Sequence, residues 1–231
     1  MPHDHCNDEL TVVTFSSQTP PPPERRAAPR NLSVLRTALL HTYRGDELCL
    51  VRNISSGGLM AHIFSDLEIG DPVTVEFKSE HSIRGTIVWR QDCLAGVEFA
   101  HSIELSEILS QQFESTFMPL APRAPRAEVN VPGRIKSGGS WQHVVLRNIS
   151  QGGARLQLNS ADHLDAAILL SAPGLAALAG SIRWRDGDDA GMAFDRLVPF
   201  PDIAQWVADS HREHSRRDTD ETLPAIRSNA S

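Results

Sequence analysis

Tyrosine occurs once, lysine twice and cysteine three times in these 231 residues, and no apolar run is both long and unbroken. Each scarcity excludes something. Barrels that bind oligonucleotides present stacking aromatics on a basic groove, which a single tyrosine and a formal net charge of −7 do not supply. The same acidic balance argues against duplex nucleic acid, whose binding requires many phosphates to be neutralised at once. The longest apolar run, Ala166 to Gly180, is broken at its centre by Pro173 and Gly174, and it falls short of the roughly 20 residues that span a bilayer. No membrane insertion is expected. Cys6, Cys49 and Cys93 form an odd set with no Cys-x-x-Cys spacing, which fits reduced thiols better than a disulfide framework. The opening MPHDHCNDEL is polar and acidic where a secretory signal is basic and then apolar, so a cytoplasmic location is expected.

What the chain does have is an internal repeat. RNISSGG at Arg52–Gly58 returns as RNISQGG at Arg147–Gly153, and GTIVWRQDCLAGVEF at Gly85–Phe99 returns as GSIRWRDGDDAGMAF at Gly180–Phe194. Positions 52–99 set against 147–194 share 14 of 48 residues without a gap, the mark of a tandem duplication. Within each unit, short β-prone runs alternate with turn signals. In the first, Val73, Val75 and Phe77 alternate with Thr74 and Glu76, the period of a strand with one wet face. Strands are expected near residues 35–43, 47–53, 59–64, 72–77, 83–90 and 95–99, enough to close a barrel and remove its edges. Leu105, Ile108, Leu109 and Phe113 then recur at helical spacing behind Ser102, as do Ile203, Trp206 and Val207 in the second unit. The spacing predicts helices over 103–117 and 201–211, each either plugging its own barrel or pairing with another subunit.

The resulting fold class is all-β with terminal helices: two tandem six-stranded antiparallel barrels, each followed by an amphipathic helix. The expected domains are a proline-rich flexible arm at 1–23, a first barrel at 24–118, a linker at 119–122, a second barrel at 123–212 and a flexible tail at 213–231. The second unit's AAILLSAPGLAALAG reads as a hairpin turning near Ala172–Gly174. Its apolar residues suit either a docking or dimer face or additional core, which leaves a homodimer open.

Two elements carry chemistry. Glu24–Arg36 holds four arginines, Arg25, Arg26, Arg30 and Arg36, against one glutamate. The planar guanidinium fork suits phosphate oxygens and the O6/N7 edge of guanine. Further on, Asn53 offers a donor and an acceptor, Ser55 a hydroxyl, and Gly57 and Gly58 a positive-φ turn through which backbone could approach a ligand. Taken alone, such a segment is more often a plain turn. Trp89 and Trp184 hold equivalent strand positions and read as barrel packing, Trp89 with an option to border a ligand face. His3-Asp4-His5-Cys6 and His211-Arg212-Glu213-His214 lack the four-ligand spacing of a structural zinc site. No nucleophile elbow or phosphate loop is present, so no enzymatic activity, metal or cofactor is expected.

Arg26-x-x-x-Arg30 followed by Asn53-x-Ser55-x-x-Gly58, with the GTIVW and AGVEF strands downstream, resembles the PilZ family. That resemblance covers Glu24 to about Met118 well and about Arg123 to Arg212 in weaker form. It implies a bacterial receptor for cyclic di-GMP, which is the ligand and not a cofactor. Arg26 and Arg30 would hold phosphates and meet guanine, Asn53 and Ser55 would contact a guanine edge, and Gly58 would allow the turn. Arg25 matches family members that take the ligand as an intercalated dimer. The signal would pass to a protein partner in motility, biofilm or exopolysaccharide control; the alternative is a ligand-independent adaptor acting through protein contacts. The second unit keeps Asn148, Ser150 and Gly153 but sets Ala121 and Pro125 against Arg26 and Arg30. A one-residue gap restores Arg126 opposite Arg30 and still leaves Pro122 opposite Arg26, so the second barrel is expected not to bind.

Overall fold

The computed structural model describes residues 31–77, 82–105, 124–158 and 164–221. Six strands form the first unit: β1 (Asn31–Thr42), β2 (Gly45–Ser55), β3 (Gly58–His62), β4 (Pro72–Glu76), β5 (Ser82–Gln91) and β6 (Leu94–Phe99). They close into an antiparallel barrel in the order β1-β2-β3-β6-β5-β4. The second unit repeats the design with β7 (Ala127–Ser137), β8 (Ser140–Ser150), β9 (Gly153–Leu158), β10 (Ala167–Ala172), β11 (Leu175–Asp186) and β12 (Asp189–Phe194). Its closed order, β7-β8-β9-β12-β11-β10, is the same circuit. Alternation does the sorting: Val73 and Val75 point inward while Pro72, Thr74 and Glu76 stay wetter, so one face of each strand fills the barrel. Leu40, Val51, Val75 and Ile87 centre the first core, and Ile135, Leu146, Leu156 and Leu170 the second.

The barrels are joined through a shared helix, α1 (Phe200–Glu221). Its apolar stripe, Ile203, Trp206 and Val207, packs against β7 of its own barrel and against β2 of the first. Leu39 and Leu48, on the outside of the first barrel, belong to the second barrel's core cluster. Phe64 meets Phe200 edge to face at 6.0 Å. The stripe therefore neither plugs one barrel alone nor waits for another subunit; it fills the seam between the two. The helix also runs beyond the expected end at His211, and the first residue past that point is held both locally and across the seam. Arg212 bonds Asp209 at 3.1 Å and reaches Asp66 of the first barrel at 3.6 Å. The expected first helix lies outside the described residues from 106 onward.

Polar groups line the same seam. The Glu128 amide donates to Asp46 at 3.3 Å, and its carbonyl accepts from His211 Nε2 at 3.2 Å. Glu47 is buried beside them, and burial raises its carboxyl pKa above the usual range. Cys49 is a free buried thiol pushed up to about 12 by desolvation. Cys93, expected to be reduced, is disulfide-bonded; pairing depends on Cα approach in space, which spacing along the chain does not report.

Next to the seam, His41 sits between Asp46, 2.6 Å from Nδ1, and Glu76, 2.9 Å from Nε2. Burial lowers its pKa, but the hydrogen bonds and charges of both carboxylates outweigh that, and the net shift is upward. Only the imidazolium can donate from both nitrogens. A raised folded pKa stabilises fully below the unfolded value of about 6.5 and is lost as pH rises through the folded one. The difference in thermal midpoint between wild type and His41→Gln is therefore expected to be widest below about pH 6.5 and to shrink toward alkaline pH; a pH-independent difference would contradict this.

Candidate ligand site at the end of strand β2

Strand β2 bulges at Arg52. Val51 pairs with Ala61 and Asn53 with Met60, so Arg52 is the extra residue, and Val51 and Ile54 point inward while Arg52 and Asn53 are both turned to the outer face. From Asn53 a single row crosses that face through Met60 and Gly96 to Trp89. Trp89 is 37% exposed and lies flat over Gly96, where a Cβ would collide with the indole. Trp184 covers Gly191 in the same manner. Both tryptophans pack on the outside of their barrels rather than within them.

The turn after Asn53 is a clamp. The Ser55 hydroxyl donates to the Gly58 carbonyl at 3.1 Å, and the Ser56 and Gly57 carbonyls accept from the Ile103 and Phe99 amides, each at 2.9 Å. The second barrel repeats all three contacts, with Ser150 to Gly153 at 3.2 Å, Val198 to Gln151 at 2.9 Å and Phe194 to Gly152 at 3.0 Å. The expectation of a positive-φ turn at these glycines is not met, since neither Gly57 nor Gly58 is among the positive-φ residues. Gly58 is required for a different reason: a Cβ there would strike the backbone carbonyl of Val97 on β6. Ser55 and Gly58 thus have structural duties in both units.

The two units diverge at the asparagine. In the second barrel Asn148 is buried and its amide is spoken for, donating to Glu128 Oε1 at 3.1 Å and accepting from Arg126 at 3.4 Å. In the first, the half-buried Asn53 side chain makes no hydrogen bond with any described residue. The residue in register with Asn53 is Ser33, and the one in register with Asn148 is Glu128. The gap inferred from sequence is visible as an irregularity in β1. Asn31 pairs with Ile54 and Ser33 with Asn53, leaving Leu32 extra, whereas Ala127 and Glu128 pair consecutively with Ile149 and Asn148. Arg126 and Arg30 accordingly precede equivalent paired positions.

The neighbouring arginines diverge too. Arg147 donates to Asn130 Oδ1 at 2.6 Å and through two nitrogens to Gln157. Arg52 makes no hydrogen bond or ion pair among the described residues, and its Nε is buried. Burial and the charge of Arg52 together lower the pKa of His62. Sequence reasoning passed over Arg52, although it stands directly before the motif in both repeats. Arg25, Arg26 and Arg30 lie outside the described residues, as does His3–Cys6. Among the described residues no cluster of three His, Cys, Asp or Glu side chains could hold a metal ion, and no helix is long and apolar enough to cross a membrane.

Two closed six-stranded barrels with the same circuit, each bearing an Asn-x-Ser-x-x-Gly clamp at the end of its second strand, define a tandem-barrel class of protein. The PilZ domain profile matches residues 24–114 and again 122–203. The chain belongs to the PilZ domain family. Among solved structures it is similar to the PlzA protein of Borreliella burgdorferi in complex with c-di-GMP, at 11% identity over 78% of this chain and 88% of that one, TM-score 0.32. It is also similar to the inhibitor of motility MotI/DgrA of Bacillus subtilis, at 11% identity over 83% and 100%, TM-score 0.29. A third is YcgR of Escherichia coli in complex with c-di-GMP, at 13% over 81% and 88%, TM-score 0.26. No curated protein sequence matches.

Proposed function

We propose that this protein is a cytoplasmic cyclic di-GMP receptor without catalytic activity, which binds the dinucleotide at its first barrel and relays the signal to a protein partner in motility, biofilm or exopolysaccharide control. The observation that carries the reading is the contrast between the asparagines: Asn148 is satisfied within its own barrel, while Asn53 has no hydrogen-bond partner for its donor or acceptor among the described residues. The amide suits a guanine edge, and Arg25, Arg26 and Arg30 supply charge-assisted contacts to phosphate and guanine. Chain connectivity supports their delivery, because Arg30 immediately precedes Asn31, which pairs with Ile54 beside Asn53. Ser55 and Gly58 hold the turn and offer the ligand its surface. The relay runs through β2, which carries the motif at its end and, at Glu47 and Leu48 near its start, the packing against the second barrel and α1.

Calorimetric titration of the full chain tests this, with cyclic di-AMP and GTP as controls. Saturable binding of cyclic di-GMP is expected, weakened about tenfold to a hundredfold by Arg26→Ala or Arg30→Ala, since a bidentate arginine–guanine contact is worth roughly 1–3 kcal/mol. About two ligands per chain would mark an intercalated pair reaching Arg25. A folded protein with no heat at several temperatures would overturn the receptor reading and favour the adaptor.

A further inference from the structure

We infer that Arg52 is an additional anion contact of the ligand site, donating to a phosphate oxygen of the nucleotide alongside Asn53; this rests on the receptor reading above. Three observations converge on it. The bulge turns Arg52 and Asn53 to the same outer face, where two residues of β2 stand against the single Met60 of β3. Bulges of this kind re-aim side chains beside functional sites. Second, its Nε is buried without an acceptor among the described residues, so one N–H of the half-buried guanidinium is left unsatisfied beside Asn53, which costs free energy.

Third, the repeat supplies an internal control. Arg147 holds the same bulged position in β8, and there the guanidinium is consumed by Gln157 and Asn130. At the equivalent positions the first unit has His62 and Leu35. Leucine carries no acceptor, and His62 has its pKa lowered by burial and by Arg52 itself rather than gaining a bond from it. The barrel whose asparagine is closed has its arginine quenched; the barrel whose asparagine is open has its arginine unquenched. A cation and, one residue on, an amide that both lack partners among the described residues are chemistry for a ligand with both an anionic group and a base edge, and the fixed positive charge selects phosphate over a neutral carbonyl.

The test is titration of the full chain with cyclic di-GMP in wild type, Arg52→Gln, Arg52→Lys and Arg147→Gln, with thermal midpoints measured in parallel. The expected result is a Kd raised about tenfold to a hundredfold in Arg52→Gln, partly recovered in Arg52→Lys, unchanged in Arg147→Gln, with Arg52→Gln still folded. Wild-type affinity in folded Arg52→Gln would overturn the inference and leave the receptor reading standing. Loss of the folded state in both Arg52→Gln and Arg52→Lys would make Arg52 a structural residue and overturn it as well. No binding by the wild type would remove both.

Discussion

Gly58→Ala is expected to destabilise the first barrel by about 3 kcal/mol, while Gly57→Ala, one residue away, changes stability by less than about 0.5 kcal/mol. The pair isolates close approach from turn chemistry. A Cβ at Gly58 would run into the Val97 carbonyl, a backbone atom of β6 that cannot rotate aside, whereas nothing lies within 4 Å of the Cβ position at Gly57. Because Gly58 pairs with Glu98 across β3 and β6, displacement there parts two strands of a closed barrel and disturbs the Ser55 clamp. Gly153→Ala should behave like Gly58→Ala, since its Cβ would meet the Met192 carbonyl. Urea unfolding of the three variants measures this; equal effects at Gly57 and Gly58 would show that turn conformation is what selects the glycine.

The second large effect is expected at Ile203→Ala, which should cost about 2–5 kcal/mol and loosen both barrels rather than one. Ile203 is fully buried in the cluster that gathers the second core, α1 and, from the first barrel, Leu39 and Leu48. Truncation leaves a cavity where α1 meets β2 and β7, in a close-packed interior that relaxes only partially. Trp206 provides the readout. It is the only one of the four tryptophans that is buried, and its indole donates to the Pro173 carbonyl at 2.8 Å. Undocking of α1 should shift the fluorescence toward the red at lower urea than in wild type. A variant whose first barrel unfolds at unchanged urea would show that the helix serves the second barrel alone. If cyclic di-GMP binding weakens together with the seam, the coupling through β2 is reciprocal.

Local pattern was enough to read most of the fold. The alternation of Val73, Val75 and Phe77, the turn residues around Gly70 and the hairpin at Pro173–Gly174 each report on a few consecutive residues, and strand and turn geometry is decided at that range. The duplication was equally plain, because RNISSGG and RNISQGG need no structure to be matched. The site was legible only in part. Asn53, Ser55 and Gly58 stood out as a motif, but their separate duties did not: Ser55 bonds the turn, Gly58 makes room for β6, and Asn53 alone of the three has a side chain with no partner among the described residues. Arg52 was overlooked because an arginine beside a motif has no spacing to announce it.

The sequence by itself determined that the protein is two copies of a six-stranded antiparallel unit with arginines ahead of the first, since periodicity, turn chemistry and repeat offset are properties of neighbouring residues. Tertiary structure alone decided which copy has its asparagine committed within the barrel and how the copies are joined. Glu128 reaches Asn148 through strand register, and its backbone meets Asp46, 82 residues earlier, and His211, 83 residues later. Register and docking depend on which surfaces close over one another, and contacts of that range leave no periodic trace in the chain.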